Sequence, residues 1–227
     1  MIIKFLHLEN GIEIVSDKIT TLEINNKSLF TSICESVISD KGEESAVPYK
    51  LYEDGKESKL LFNVLASLPT VPINNKKLLE KAYKDFSNNL ELDTEAFNEI
   101  NIIANNLIKR IKEFSLKQYC TYDFEEEWDI KAFLKICKYQ VNIDECESLL
   151  EKLQEYIKFL ADVNFNDVLV FINLKIFLNE NELNDLFETL IFYDIKTLLL
   201  ENVVDSSSYN NEIKYRCDLD LCEFIYR

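Results

Sequence analysis

The stretch DVLVFINLKIFLNENELNDLF, residues 167–187, has the pattern of a phosphate-handling element in which one residue is changed. Five consecutive apolar residues, Val168 to Ile172, are typical of a strand buried in a parallel sheet, and a capped amphipathic helix follows. In nucleotide-hydrolysing α/β proteins, the residue at such a strand tip is usually an aspartate that handles magnesium. Asn173 stands at this tip, so that carboxylate is missing.

The loop that would bind the phosphates is missing as well. A P-loop has the pattern G-x-x-x-x-G-K-[ST] after a strand, because its backbone amides must surround the phosphates closely. The single Gly-Lys pair, Gly55 and Lys56 in EDGKES, lacks the upstream glycine and a helix pattern after it, and no G-x-G-x-x-G is present. The sequence therefore predicts that a nucleotide hydrolase activity is absent, although the fold can still be related.

Cysteine and histidine give no second route to catalysis. The six cysteines contain no C-x-x-C pair, and His7 is the only histidine, so no zinc set has the usual spacing. We expect reduced cysteines that pack as small apolar residues. Nucleophilic catalysis would depend on His7 alone, so we expect no catalysis of that kind.

An acidic run, YDFEEEWDI, offers a possible metal site. Asp123, Glu125, Glu126 and Asp129 lie within seven positions, just before a predicted helix. Several loop carboxylates suit a hard cation with flexible oxygen coordination, calcium before magnesium, although the glycine and the terminal glutamate of an EF-hand are absent. Acidic residues at a helix start are also stabilised by the helix dipole, which requires no metal. Both explanations remain open.

A row of lysines is the basic counterpart of this run. Lys77, Lys81 and Lys84 share one side of a predicted helix, opposite its apolar residues. Such a row is either an ordinary solvated face or a basic surface for a polyanion. The chain has a formal charge of −16, so its composition predicts no general attraction to nucleic acid, and a DNA contact would require a local cluster of this kind.

The chain divides into three zones. Residues 1–73 and 167–227 alternate short strands and helices, whereas residues 74–166 are almost wholly helical. We therefore predict an α/β head, made of the first and last zones, and a helical leg. In the leg, Ile100, Ile103, Leu107, Ile111 and Phe114 form an apolar stripe that requires a partner helix. No long apolar segment or signal peptide is found, so we expect a soluble cytoplasmic protein with no membrane contact.

Three segments carry a resemblance to a known family: VLVFINLKIFLNENELNDLFETLIFYDIKTLLLENV (168–203), LLFNVLASLPTVPINNKKLLEKAYKDF (60–86) and the opening FLHLENGIEI (5–14). They resemble the short form of the small CRISPR-associated adaptation protein of type II-A systems. Their order spans most of the chain. The sequence departs from the family at Ala66 and Ser67, where a D-I-L bend is expected, and in lacking glycines after the first hairpin.

The resemblance implies a fold and a function. The fold is an α/β head like that of P-loop ATPases, with a central and mostly parallel sheet, and an α-helical leg. The function is non-enzymatic: a homotetrameric ring holds double-stranded DNA without sequence preference, favours linear ends, and uses calcium. The ring acts in CRISPR spacer acquisition, a step of antiviral defense, with the integrase proteins and the RNA-guided nuclease.

Applied to this chain, the resemblance yields two sets of expected site residues. The expected calcium ligands are Asp123, Glu125, Glu126 and Asp129. The expected DNA-binding residues are Lys56, Lys59, Lys76, Lys77, Lys81 and Lys84. The alternative, favoured by the negative charge, is a protein-interaction scaffold that makes no direct contact with DNA.

Overall fold

The structure, a computed structural model, describes residues 1–68, 70–123, 127–207 and 209–226. The chain forms two compact units, unit 1 (Met1–Ile73 and Asn142–Arg227) and unit 2 (Asn74–Val141). The strands are β1 (Ile2–Phe5), β2 (Ile12–Glu13), β3 (Ile19–Ile24), β4 (Tyr49–Glu53), β5 (Lys56–Glu57), β6 (Phe62–Leu65), β7 (Val168–Ile172), β8 (Thr197–Glu201), β9 (Glu212–Cys217) and β10 (Glu223–Tyr226). The helices are α1 (Lys27–Ser39), α2 (Lys76–Leu92), α3 (Thr94–Ser115), α4 (Ile130–Ile136), α5 (Leu149–Asp162) and α6 (Glu180–Phe192).

Unit 1 is built on a six-stranded sheet with the order β10-β9-β3-β8-β7-β6. Every neighbouring pair is parallel except β9 and β10, which form an antiparallel hairpin at one edge. The predicted α/β class with a mostly parallel sheet is confirmed. The strand expected at 168–172 is β7, and its residues Val168–Phe171 are fully buried, as a strand covered on both faces must be.

One face of this sheet packs against a second, antiparallel sheet with the order β2-β1-β4-β5. Alternate residues of β1, Ile3 and Phe5, point into the shared core, while Lys4 between them is exposed. Helix α1 completes this core with Ile33 and Val37. Its first turn is fixed by Asn26, whose side chain accepts a hydrogen bond from the backbone of Leu29 at 3.1 Å.

The other face is covered by α5 and α6, which pack against each other. Both helices begin with a capping box, in which a polar residue and a glutamate three positions later bond each other's backbone. The α5 stripe of Leu153, Tyr156, Ile157 and Leu160 is completely buried. In addition, the Tyr156 hydroxyl accepts a hydrogen bond from the side chain of Asn63 on β6 at 2.7 Å.

The position of α5 differs from the prediction. The leg was expected to run to residue 166, but unit 2 ends at Val141 and α5 belongs to unit 1. The physical reason is the buried α5 stripe described above, which is part of the core beneath the sheet. The helix pattern in the sequence shows that the apolar stripe of α5 must be covered. It does not show which unit covers that stripe.

Unit 2 consists of α2, α3 and α4 and has a small core. Within helices α2–α4, the buried residues among those described are Leu78, Tyr83, Ser87, Ala104 and Leu134. Asp93 closes α2 and also caps α3, because its side chain accepts from the backbone of Ala96 at 3.1 Å. At the ends of the unit, the Asn74 side chain bonds both backbone groups of Val141, at 2.9 and 3.0 Å.

Candidate functional site

Asn173, at the tip of β7, has a structural role. Its backbone is left-handed, with φ of 53°, and its side-chain oxygen accepts a hydrogen bond from the backbone of Asn202 at 3.0 Å. The side chain of Asn202 donates in turn to the carbonyl of Ile24 at 3.2 Å. The two asparagines thus join the ends of β7, β8 and β3.

The connection between β3 and α1 is shorter than a phosphate-binding loop. It consists of Asn25 and Asn26 alone. The amide of Asn25 donates to the carbonyl of Cys217 at 3.0 Å, and the side chain of Asn26 occupies the amide of Leu29. A phosphate loop requires several free amides on a longer, glycine-rich turn. Two of the amides at this strand end, those of Asn25 and Leu29, are therefore already used within the protein.

Carboxylates are nevertheless present on this side of the sheet, on strands that the sequence analysis did not consider. Glu23 lies on β3, Glu201 ends β8, and Glu212 begins β9; at most 6% of each residue is exposed. Three cations and one further acid share this space. We call the whole set the buried ion network: Glu23, Lys175, Glu201, Asp205, Glu212, Lys214 and Arg216.

The cations of the buried ion network are paired at short range. The Lys175 ammonium lies 2.6 Å from Glu212 and 3.3 Å from Asp205. Glu23 receives Lys214 at 3.3 Å and the Arg216 Nε at 2.8 Å. Buried charges of this kind are tolerated only when they are paired and hydrogen-bonded. The internal ammonium and guanidinium groups therefore provide the positive charge that these carboxylates require.

The buried ion network lies beside the crossover from β8 to β9. The described residues of this crossover, 202–207 and 209–211, contain no helix, although a helix usually joins parallel strands. The Lys214 ammonium holds this crossover by donating to the carbonyls of Asp205 and Ser207, both at 2.9 Å. A cavity of about 430 Å³ remains between the crossover and the side chains of Lys214, Arg216 and Tyr226.

A sequence signal for part of the network exists. In EIKYRC, the charged residues Glu212, Lys214 and Arg216 recur every second position, so they share one face of the strand. Apolar residues of the same strand, Ile213 and Tyr215, face the opposite core. The alternation could have predicted a charged buried face, but not its partners on β3 and β8.

Glu201 is the member that forms no ion pair with the described residues. Burial raises the pKa of its carboxyl to about 7, against the lowering effects of the hydrogen bonds from the backbone of Lys175 and Leu174 and of the Lys175 charge. The carboxylate of Glu212 adds to the increase. Lys175 shows the opposite balance: burial would lower its pKa, but Glu212 and Asp205 raise it above the ordinary value, so the ammonium stays charged.

This balance predicts a pH-dependent gain in stability for Glu201→Gln. The folded protein holds a proton on Glu201 more tightly than the unfolded chain, so wild-type stability falls as pH rises from about 4.5 to about 7. Glutamine keeps the side-chain oxygen that accepts a hydrogen bond from the backbone of Lys175, and it removes the carboxylate charge. We expect the variant to be more stable at pH 8 by about 3 kcal/mol, with the difference vanishing near pH 4.

Thermal unfolding followed by circular dichroism at pH 4, 5, 6, 7 and 8 measures this difference. A matched control is Glu188→Gln, which removes a charge from an exposed position on α6. An equal effect of Glu201→Gln at every pH would show that the variant acts through packing and not through titration.

The predicted DNA-binding lysines lie on both units. Lys56 is on β5 and Lys59 follows it, both exposed in unit 1. The remaining four are on α2 of unit 2. There, Lys76, Lys77 and Lys84 are exposed and Lys81 is half-buried, while Tyr83 on the other side of the helix is buried.

Charge is distributed unevenly between the units. Unit 2 contains eleven Lys and Arg residues and twelve Asp and Glu residues, a formal charge of −1, whereas the whole chain carries −16. Unit 1 therefore carries the remaining −15. The α2 lysines thus belong to the part of the chain that repels a polyanion least.

The predicted apolar stripe of α3 is exposed within the single chain. Ile103, Leu107, Ile111 and Phe114 are between 48% and 67% exposed, and Ile100 is half-buried. The covered side of α3 contains Ala104, which is buried. Unit 2 therefore leaves a row of large apolar side chains without cover from the described residues, which is typical of an interaction surface.

The acidic run is described only in part. Glu125 and Glu126 lie outside the described residues. Asp129 caps α4, because its side chain accepts from the backbone of Lys131 at 2.9 Å, and Asp123 is exposed. Among the residues that the structure describes, no group of three or more His, Cys, Asp or Glu residues could hold a metal ion. The described part of the run does not form a calcium site by itself.

Comparison with known proteins identifies the family of the chain. Residues 43–221 match the family "CRISPR-associated protein (Cas_Csn2)". No curated protein matches the chain. Among solved structures, the chain is similar to Stu0660 of Streptococcus thermophilus, with a TM-score of 0.58 and 13% sequence identity, over 100% of this chain and 76% of that one. None of the helices in the described ranges could span a membrane.

Proposed function

The chain belongs to the Cas_Csn2 family of CRISPR-associated proteins, and from this premise we propose that it is a non-enzymatic protein that binds double-stranded DNA without sequence preference. It would act in the cytoplasm, in spacer acquisition, with the integrase proteins and the RNA-guided nuclease. The observation that supports DNA binding is the uneven charge: exposed lysines are grouped on α2, in the unit whose formal charge is −1.

The absence of catalysis is part of the proposal. We propose that unit 1 is related to the heads of P-loop ATPases and has lost their chemistry. Two observations support this: the β3–α1 connection has only two residues, and the sheet carboxylates Glu23 and Glu212 are paired with internal cations. Such a head would serve as a rigid scaffold.

The alternative function is a protein-interaction scaffold that makes no direct contact with DNA. The charge of −15 on unit 1 favours it, because this charge opposes the approach of a polyanion. A gel shift with linear and closed circular DNA of one sequence distinguishes the two functions. A DNA-binding protein retards linear DNA, and a scaffold retards neither form.

The α2 lysines give a quantitative test. Each lysine that neutralises a phosphate contributes about one unit to the slope of log affinity against log salt. Replacing Lys77, Lys81 and Lys84 by alanine should therefore flatten the slope by up to about three units and weaken binding equally for all sequences. Fluorescence anisotropy with a linear duplex at several salt concentrations measures the slope.

A matched variant removes three lysines from unit 1, at Lys27, Lys41 and Lys158, which are exposed. It has the same net charge as the α2 variant, so it controls for the general increase in repulsion. If both variants change the slope equally, α2 is not the DNA-binding surface.

We also propose that the protein is a homo-oligomer, and specifically a closed tetramer, in which the α3 stripe is covered. Introducing glutamate at Ile103 and Leu107 should produce a smaller species, because a charge in an apolar contact is costly. Both side chains are exposed in the single chain, so helix content should not change. Light scattering measures the mass, and Leu92→Glu, exposed on the neighbouring helix, is the control. A wild-type monomer at micromolar concentration would contradict the proposal.

Calcium completes the proposal. Asp123, Glu125, Glu126 and Asp129 would hold it, because carboxylate oxygens are the ligands that calcium prefers. Millimolar calcium should raise the melting temperature relative to chelator, because a ligand that binds only the folded state stabilises it. Replacing the four acidic residues by Asn or Gln should abolish the calcium-induced rise in melting temperature. The start of α4 should be preserved, because asparagine caps a helix as well as the aspartate it replaces.

The control for the calcium experiment replaces acidic residues of unit 1 in the same way, at Asp144, Glu145, Glu147 and Glu188, which are exposed. If the variant of the acidic run keeps the full calcium-induced shift, calcium binds elsewhere in the protein or only non-specifically.

A further inference from the structure

A second basic segment of unit 2 is not part of the predicted DNA-binding set. It covers residues 109–122, the last turns of α3 and the chain that follows. The segment contains one acidic residue, Glu113, and four basic residues, so its formal charge is +3 in a chain of −16. The basic residues are Lys109, Arg110, Lys112 and Lys117. Cations in the last turn of a helix complement its dipole, and this effect explains the position of Lys112. The dipole does not explain the basic residue beyond the end of the helix, Lys117.

Exposed aromatic residues accompany these cations. Tyr122 is more than half exposed, and Tyr119 is fully exposed, at 109%. A tyrosine normally buries its ring and leaves only the hydroxyl in water. No described residue covers the ring of Tyr119, so its large apolar surface is available to a binding partner.

The backbone brings cations and rings to the same end of α3. After Ser115 the chain turns, with the amide of Lys117 donating to the carbonyl of Phe114 at 3.1 Å and the amide of Gln118 to Ser115 at 3.0 Å. The Lys117 ammonium lies 5.7 Å from the centre of the Phe114 ring. Arg110 contacts Glu113 at 3.0 Å, but its side chain remains 82% exposed. Its guanidinium therefore keeps donors for a phosphate.

We propose that this basic aromatic segment binds exposed nucleotide bases, by stacking of Tyr119 on a base while Lys109, Arg110 and Lys117 contact the neighbouring phosphates. This inference rests on the proposed DNA-binding function and adds a ligand class to it. Inside a duplex both faces of each base are covered by its neighbours. A protein ring reaches a free base face at a duplex end or in a single strand, and such stacking is tolerant of sequence.

Three fluorescent probes of one sequence test the proposal: a closed circular duplex, a blunt linear duplex, and a linear duplex with a single-stranded overhang. We expect Tyr119→Ala to weaken binding of the two linear probes about five- to hundred-fold, the range for loss of one base stack. Binding of the circular probe should be unchanged. Tyr119→Phe keeps the stacking ring and should bind like the wild type.

The matched control is Tyr226→Ala, which removes an exposed tyrosine from unit 1 and should bind all three probes normally. The two linear probes separate the sources of the free base: a loss confined to the overhang probe assigns the site to single strands, and a loss on both assigns it to duplex ends. Either result supports the proposal.

Three results for Tyr119→Ala would overturn the proposal. The first is an equal loss of affinity for the circular and linear probes, and the second is unchanged affinity for all three probes. The third is a change in oligomer mass by light scattering, which would make Tyr119 a subunit contact. The proposed function fails separately: in that case the wild type binds none of the three probes, and this inference falls with it.

Discussion

Unit 1 depends on the pairing of buried carboxylates with internal cations on one face of its large sheet. Glu23 and Glu212 are almost completely removed from water, and each accepts an internal cation within 3 Å. Removing one partner would leave a charge buried without compensation, which is much more costly than the loss of a surface ion pair. The crossover between β8 and β9 depends on the same groups, because its carbonyls are held by Lys214 and Arg216.

The two units differ in how they are stabilised. Unit 1 has apolar cores on both faces of a sheet, whereas unit 2 buries few residues and exposes the apolar stripe of α3. The smaller core of unit 2 removes less apolar surface from water than the cores of unit 1 do. The exposed row of large apolar side chains on α3 is the surface that the proposed assembly would cover.

The sequence predicted those elements whose pattern is local. The buried strand β7, the helix α6 with its capping box and the stripe of α3 all follow from residues close together in the chain, and each is present. The family resemblance, drawn from short segments, is confirmed by the match over residues 43–221. The assignment of α5 to unit 1 could not be predicted, because an apolar stripe does not reveal which surface covers it.

The buried ion network escaped prediction for a related reason. The tip of β7 lacks a carboxylate at Asn173, but the carboxylates of strands β3 and β8 come from segments far apart in sequence. Their encounter with Lys175 and Arg216 depends on the order and register of the strands. Register is set by the packing of the whole sheet, which no single segment encodes.

The pairing of Lys175 with Glu212 has a consequence for how this protein responds to its surroundings. A protein whose buried acids are neutralised by bound ions or ligands gains stability by mass action, so its folded fraction follows their concentration in the cell. In unit 1 the neutralising cations are covalently part of the chain, and their local concentration never changes. The charge balance of this pair is therefore independent of the supply of any small cationic ligand.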